Sequence, residues 1–163
     1  MSAAPANTDK QRASSAARLA AVQALYQMEL TGEPWNTIAG EFETHRFGET
    51  IDGDELAEAD RNLFRLTLEG AVTNQRQIDR AVDQVLKTGW PLRRIDPTLR
   101  ALFRAAGSEY IARPNAPSRV IINEYVEVAK AFFDGEEPRF ANAVLDALGQ
   151  ALRAPPKDEK STS

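Results

Sequence analysis

Asp96-Pro97-Thr98-Leu99-Arg100-Ala101-Leu102-Phe103-Arg104-Ala105-Ala106-Gly107-Ser108-Glu109-Tyr110 opens with an acid followed by proline, a strong helix-start signal. The carboxylate can accept from free backbone amides of the first turn. Proline, which lacks an amide hydrogen, costs nothing at the first helical position. Leu99, Leu102, Phe103, Ala106 and Tyr110 then recur at i, i+3, i+4, i+7 and i+11, one apolar stripe along a helix that other helices must cover. Downstream, Arg113-Pro114-Asn115-Ala116-Pro117 ends this helix, and Ser118 is read as the cap of the next, with the stripe Ile122, Tyr125, Val126, Ala129 and Phe133. Asp134-Gly135-Glu136-Glu137-Pro138 is a turn that sets acids at the start of a last helix, where they suit its dipole. That helix is expected to bury Phe140, Val144, Ala147 and Leu148.

Upstream, residues 10–30 are rich in Ala, Gln, Arg and Leu, with Leu19, Val22, Leu25, Tyr26 and Met28 near helical spacing. Thr31-Gly32-Glu33-Pro34 breaks this first helix, and a short second one is expected from Pro34 to Thr44. Gly48 and Gly53 bound a polar loop in which Asp52 and Glu55 have capping-box spacing. A long helix over 54–74 carries the stripe Phe64, Leu68, Ala71 and Val72, and an amphipathic piece with Ile78, Val82, Val85 and Leu86 runs up to Thr88-Gly89-Trp90-Pro91. No stretch alternates with period two, so the fold is expected to be all-α, with about seven helices. The Gly89-Trp90-Pro91 break divides the chain into helical subdomains 10–88 and 89–153. They are expected to pack as one compact domain with Trp90 buried between them and disordered tails at 1–9 and 154–163.

A chain of 163 residues, 42% hydrophobic, can build a core without disulfides or a structural metal. It has no cysteine, which excludes thiolate metal sites and thiol nucleophiles. No apolar run approaches the roughly 20 residues that span a bilayer, and a cytoplasmic location is expected. The net charge of −4 is unevenly placed. Residues 1–28 carry +2, residues 29–69 carry −8 and residues 91–119 carry +4, so both phosphates and a basic protein are plausible partners.

The sequence holds no catalytic constellation: no Gly-x-Ser-x-Gly, no Ser-x-x-Lys and no glycine-rich phosphate loop. Glu41, His45 and Glu49 recur at i+4, but Gly48 interrupts them, so a solvated acidic face is the better reading than a metal site. No enzyme activity and no cofactor or metal are expected.

Arg18-Leu-Ala-Ala-Val-Gln23-Ala-Leu-Tyr26-Gln, Leu99-Arg100 through Glu109-Tyr110, Ile122-Asn123-Glu124-Tyr-Val-Glu127-Val-Ala129-Lys130 and Arg139-Phe140-Ala-Asn142-Ala-Val144-Leu145-Asp146 resemble, in order and spacing, the NusB family of transcription antitermination factors. The resemblance extends over about residues 10–153. It implies two helical subdomains and an adaptor that pairs with NusE, a small-subunit ribosomal protein. The pair would bind the boxA element of nascent rRNA leader transcripts and, with NusA and NusG, modify RNA polymerase so that it reads through terminators.

The same resemblance supplies candidate residues. Lys10, Arg12 and Arg18 match the family's basic start of helix one, although Ala13-Ser14-Ser15-Ala16-Ala17 stands where relatives have a run of arginines. Ser14 and Ser15 can still bond phosphate, without the long-range attraction. Arg18 is read as an exposed cation. Gln23, Tyr26, Arg139, Phe140 and Asn142 complete the RNA-facing set, with Tyr26 and Phe140 also fitting core stripes. Tyr26, Leu30, Leu66 and Glu69 are expected to contact NusE, while Asn123 and Glu124 are read as a structural tie between the subdomains. Two other readings remain: a helical protein-interaction module, or the RNA-gripping domain of a truncated rRNA methyltransferase.

Overall fold

The computed structural model describes residues 3–44, 54–86 and 95–153, the side chains of 3–9 and 54–60 excepted. Its regular structure is seven helices, with no strand among the described residues: α1 (Ala3–Thr31), α2 (Trp35–Phe42), α3 (Asp54–Thr73), α4 (Gln75–Leu86), α5 (Pro97–Ala112), α6 (Ser118–Phe132) and α7 (Glu137–Arg153).

Helix α5 is the axis of the fold. Thr98 N donates to Asp96 Oδ1 at 2.7 Å, the cap that the Asp96-Pro97 pair predicts. Ala101 to Tyr110 are buried on every side of the helix except at Arg104, because α1, α3, α4, α6 and α7 all pack against it. A helix surrounded in this way belongs at the centre of a core rather than on its edge. One apolar cluster runs from Ala17 and Val22 through Phe64, Leu68, Phe103 and Tyr125 to Leu145 and Leu148, so helices on both sides of residues 87–94 share it. The boundary expected at 88/89, the burial expected of Trp90, the capping box of Asp52 and Glu55, residues His45 and Glu49, and the tail 154–163 all lie outside the described residues.

Helix α1 buries alanines above all: Ala13, Ala17, Ala20, Ala21 and Ala24, with Val22 and Leu25. Such small side chains let α3 and α5 approach its backbone closely. It ends where Gly32 takes φ 77°, a left-handed conformation that costs glycine little, and donates its N–H to Met28 O at 2.8 Å. Its start differs from the expectation: residues 3–9 continue the helix rather than forming a tail. Alanine is the best helix former, and Pro5 falls in the first turn, where its missing N–H forfeits no bond.

Two further expectations need correcting. Ser118 does not cap α6; it accepts from Arg153 Nη1 at 3.0 Å, and Pro117 precedes the helix without a side-chain cap. The buried faces of α6 and α7 are also turned slightly from the predicted stripes. Ile121, Tyr125, Val128 and Ala129 are buried in α6, and Ala141, Val144, Leu145, Leu148 and Gly149 in α7, leaving Ile122, Val126, Phe140 and Ala147 half-buried. Each packs against three other helices, α6 against α1, α5 and α7 and α7 against α4, α5 and α6, which widens and shifts a stripe that sequence spacing centres on one side.

Gly149 on α7 lies directly against Tyr110 of α5. A Cβ there would lie 2.7–2.8 Å from Tyr110 ring atoms and its hydroxyl. The ring cannot yield, because its hydroxyl donates to Leu145 O at 2.7 Å and the Arg153 guanidinium sits 5.1 Å above its centroid. Gly149→Ala is therefore expected to destabilise the protein by about 1–2 kcal/mol in urea unfolding. Overpacking costs about 1–3 kcal/mol, while better helix propensity returns up to about 1.

Candidate nucleic-acid interface

Of the residues singled out on α1, Arg18 departs furthest from expectation. It is only 5% exposed, packed against α5 and α6. Its Nε donates to Glu109 Oε2 at 2.7 Å and its Nη2 to Glu109 Oε1 at 3.1 Å, a bidentate pair, while Nη1 lies 3.3 Å from Glu124 Oε1. Glu109 is fully buried and also accepts from the Tyr125 hydroxyl at 2.6 Å and from Arg113 Nη1 at 2.8 Å. Ser15 Oγ donates to Glu124 Oε1 at 2.9 Å. Arg18 is thus a buried tie between three helices, and its reading as an exposed cation is corrected. The alanines flanking it on α1 are too small to hold α5 and α6 away, so the guanidinium is enclosed.

Electrostatics within this cluster follow from its pairing. Burial alone would raise the Glu109 carboxyl, but the hydrogen bond and charge of Arg18, with the Tyr125 and Arg113 hydrogen bonds, outweigh it and hold the group below its ordinary value. Burial would lower the Arg18 guanidinium, yet Glu109 raises it. Tyr125 is pushed well above the usual phenol value, first by burial and then by the Glu109 charge. All three therefore keep their ordinary charge states at neutral pH.

The other candidates fall into separate groups. Lys10 and Arg12 are exposed on the first half of α1, and Ser14 is half-buried. Arg12, Ala16, Leu19, Gln23, Tyr26 and Leu30 follow one another at i, i+4, i+7, i+11, i+14 and i+18, all exposed or half-buried, so α1 presents one long face that its neighbours cover only in part. The face is cationic at its start, polar and aromatic in the middle, and apolar at its end, where Leu30 is 66% exposed. Tyr26 packs its inner edge against the core. On α3, which packs along α1, Leu66 is 42% exposed and Glu69 is exposed one turn on.

Arg139 and Asn142 are exposed near the start of α7, and the half-buried Phe140 ring lies 6.3 Å from that of Phe103. Among the described residues α1 and α7 do not touch, so the structure does not gather the two RNA-facing groups into one pocket. Glu124 lies where the tie between subdomains was expected, bonded to Ser15 and Arg18, while Asn123 is exposed.

Sequence reading assigned no role to Glu109, although a signal was present. Glu109 lies at i+7 from Leu102 and i+3 from Ala106, on the apolar stripe itself, and an acid there must find a buried partner. Other charges counted from the sequence are also used internally. Glu29 accepts from Arg100 Nη2 at 2.8 Å and lies 3.4 Å from Arg104 Nη1, Arg104 pairs with Asp79 at 2.8 Å, and Arg65 pairs with Glu43 at 2.6 Å. Part of the acidic belt and part of the basic 91–119 stretch therefore neutralise one another. Among the described residues, no three acidic or histidine side chains converge on a metal-sized site, and no helix is long and apolar enough to cross a membrane.

Seven helices, five of them packed around the buried α5, with mixed polar and apolar faces turned outward, define the class as an all-helical domain that presents surfaces. The chain belongs to the NusB family, whose model matches residues 15–150. It is 48% identical over 138 residues to a Sinorhizobium fredii protein named transcription antitermination protein NusB, covering 85% of this chain and 86% of that one. A Caulobacter vibrioides protein of the same name is 48% identical over 139 residues, covering 85% of this chain and 93% of its own length. Among solved structures, T. maritima NusB aligns with a TM-score of 0.67 at 26% identity over 90% of this chain and 96% of that one. A NusB in a complex of antitermination factors NusB and NusE with dsRNA aligns with a TM-score of 0.69 at 22% identity over 86% and 98%, a likeness of fold.

Proposed function

We propose that this chain is an adaptor without catalytic activity that pairs with NusE and, as the pair, binds the boxA element of rRNA leader transcripts. With NusA and NusG it promotes read-through by RNA polymerase in the cytoplasm. The observation that carries this reading is the 48% identity, over most of both chains, to relatives named transcription antitermination protein NusB. A NusB of the same fold held in one complex with NusE and RNA supports both partners.

The graded face of α1 suits such a double role. Lys10, Arg12 and Ser14 at its start address phosphates, Gln23 and Tyr26 address bases or the partner, and Leu30, with Leu66 and Glu69 of α3, addresses NusE. Arg139, Phe140 and Asn142 offer a second RNA contact on α7, where Phe140 keeps one side against Phe103 and has an edge left for a base. Arg18 is assigned no direct contact, since it is buried against Glu109, and the Ser15 hydroxyl is engaged by Glu124.

The test is a fluorescence-anisotropy titration of labelled boxA RNA and a scrambled RNA with the chain and NusE together. Tighter binding of boxA than of the scrambled strand is expected. Equal affinity for both, or no binding, would sink the proposal.

A further inference from the structure

Helix α2 carries one large aromatic side chain that the core covers only in part. Ile38, Ala39 and Phe42 are buried, and the Phe42 ring stacks on that of Phe64 with centroids 5.6 Å apart, which pins α2 to α3. Trp35 begins the same stripe, three residues before Ile38, yet it is half-buried, and its indole N–H has no acceptor among the described residues. The Arg65 guanidinium of α3 lies 5.8 Å from the centroid of the Trp35 ring. It donates from Nε to Glu43 Oε2 at 2.6 Å and from Nη2 to Glu43 Oε1 at 3.0 Å. Its Nη1 has no partner among the described residues, and the side chain is 45% exposed.

An exposed ion pair of this kind adds little to stability. Its effect is on geometry: the bidentate pair and the cation over the ring hold Arg65 and Trp35 in one arrangement before anything binds. Holding them lowers the ordering cost that long side chains otherwise bring to an interface. Trp and Arg are also the side chains that most often anchor protein contacts. Arg65, Leu66 and Glu69 lie at i, i+1 and i+4 on the exposed side of α3, and Leu30 ends α1 five residues before Trp35. Leu30 and Leu66 are two of the four large hydrophobic side chains left exposed among the described residues. Charge around them is of one sign, since residues 29–44 carry Glu29, Glu33, Glu41 and Glu43 and no base.

We infer that the stacked Trp35–Arg65 pair is an anchor of the NusE contact, which extends from Leu30, Leu66 and Glu69 onto α2. This rests on the NusE-pairing reading above and makes Trp35 and Arg65 specificity-determining residues of that contact. The occupant is a basic protein rather than RNA. Apolar side chains here sit among carboxylates that repel phosphates, and a ribosomal protein, which binds rRNA through cations, brings the opposite charge. The indole N–H and Arg65 Nη1 are two donors still open to its backbone carbonyls.

Calorimetry of NusE into the chain, with melting temperature recorded for each variant, compares wild type with Arg65→Ala and Trp35→Phe. The control is Arg80→Ala on α4, an exposed arginine on a helix that touches neither α1 nor α2. Arg65→Ala and Trp35→Phe are each expected to weaken NusE binding about 5–20-fold with the melting temperature nearly unchanged, and Arg80→Ala to leave binding as it was. A readout on the unaltered chain comes from 19F NMR after labelling with 5-fluorotryptophan: the resonance that Trp35→Phe removes should shift when NusE is added. NusE affinity unchanged in either variant, an equal loss in Arg80→Ala, or a Trp35 resonance that does not move at saturating NusE would each overturn the inference. Weaker RNA binding by Arg65→Ala with NusE binding intact would give the surface to nucleic acid and overturn it too. A wild-type chain that binds no NusE removes the proposed function itself.

Discussion

Glu109→Ala is expected to lower the unfolding free energy by about 3–5 kcal/mol, the cost of breaking a buried ion pair by removing one partner. The Arg18 guanidinium would remain enclosed with only the partly exposed Glu124, and the Tyr125 hydroxyl would lose its acceptor. Arg18→Ala should cost a similar amount, leaving Glu109 buried with Arg113 and Tyr125 alone. Urea unfolding at pH 7 checks both, and a loss below about 1 kcal/mol would show that the cluster relaxes to let water in.

The pH dependence has a definite sign. The folded carboxyl of Glu109 is held below its ordinary value, so its contribution is fully present above the unfolded value of about 4.3 and is lost as pH falls through the folded one. The stability gap between wild type and Glu109→Gln should therefore narrow as pH drops below about 4, and a gap constant from pH 7 to pH 3 would contradict the charged pairing.

The second large effect is coupling between NusE and RNA. With Arg18 buried, Lys10 and Arg12 are the remaining cations on the first half of α1, too few for strong attraction by the chain alone. If the pair binds boxA as proposed, NusE would supply the further cations, and it is then expected to tighten boxA binding by about 5–150-fold, a coupling of about 1–3 kcal/mol. Linkage requires RNA to tighten the NusE contact by the same factor, measurable by calorimetry of NusE into the chain with and without saturating boxA. Equal affinities in the two arms would show that the partners bind independently.

The helical architecture was legible because each of its signals is local. Asp96-Pro97, the breaks at Gly32-Glu33-Pro34 and Arg113 to Pro117, and the apolar spacing within each segment act over one or two turns, where chain neighbours and backbone geometry decide the outcome. The local signals did not reveal which side of α6 faces the core, since Ile121 rather than Ile122 is buried by neighbours distant in sequence.

Charge shows the division most clearly. Composition and order determined by themselves that this is an all-helical chain with a basic start, an acidic stretch and a second basic stretch. Only the tertiary structure decided that Arg18 is a buried tie, that Glu29 and Asp79 absorb Arg100 and Arg104, and that Arg113 turns one nitrogen back to Glu109 while Arg119 stays exposed. The physical reason is that a helix forms through bonds four residues apart, whereas an ion pair such as Arg18 with Glu109 joins residues 91 apart. Whether such a charge meets water or another charge is settled only when the alanine face of α1 has closed onto α5.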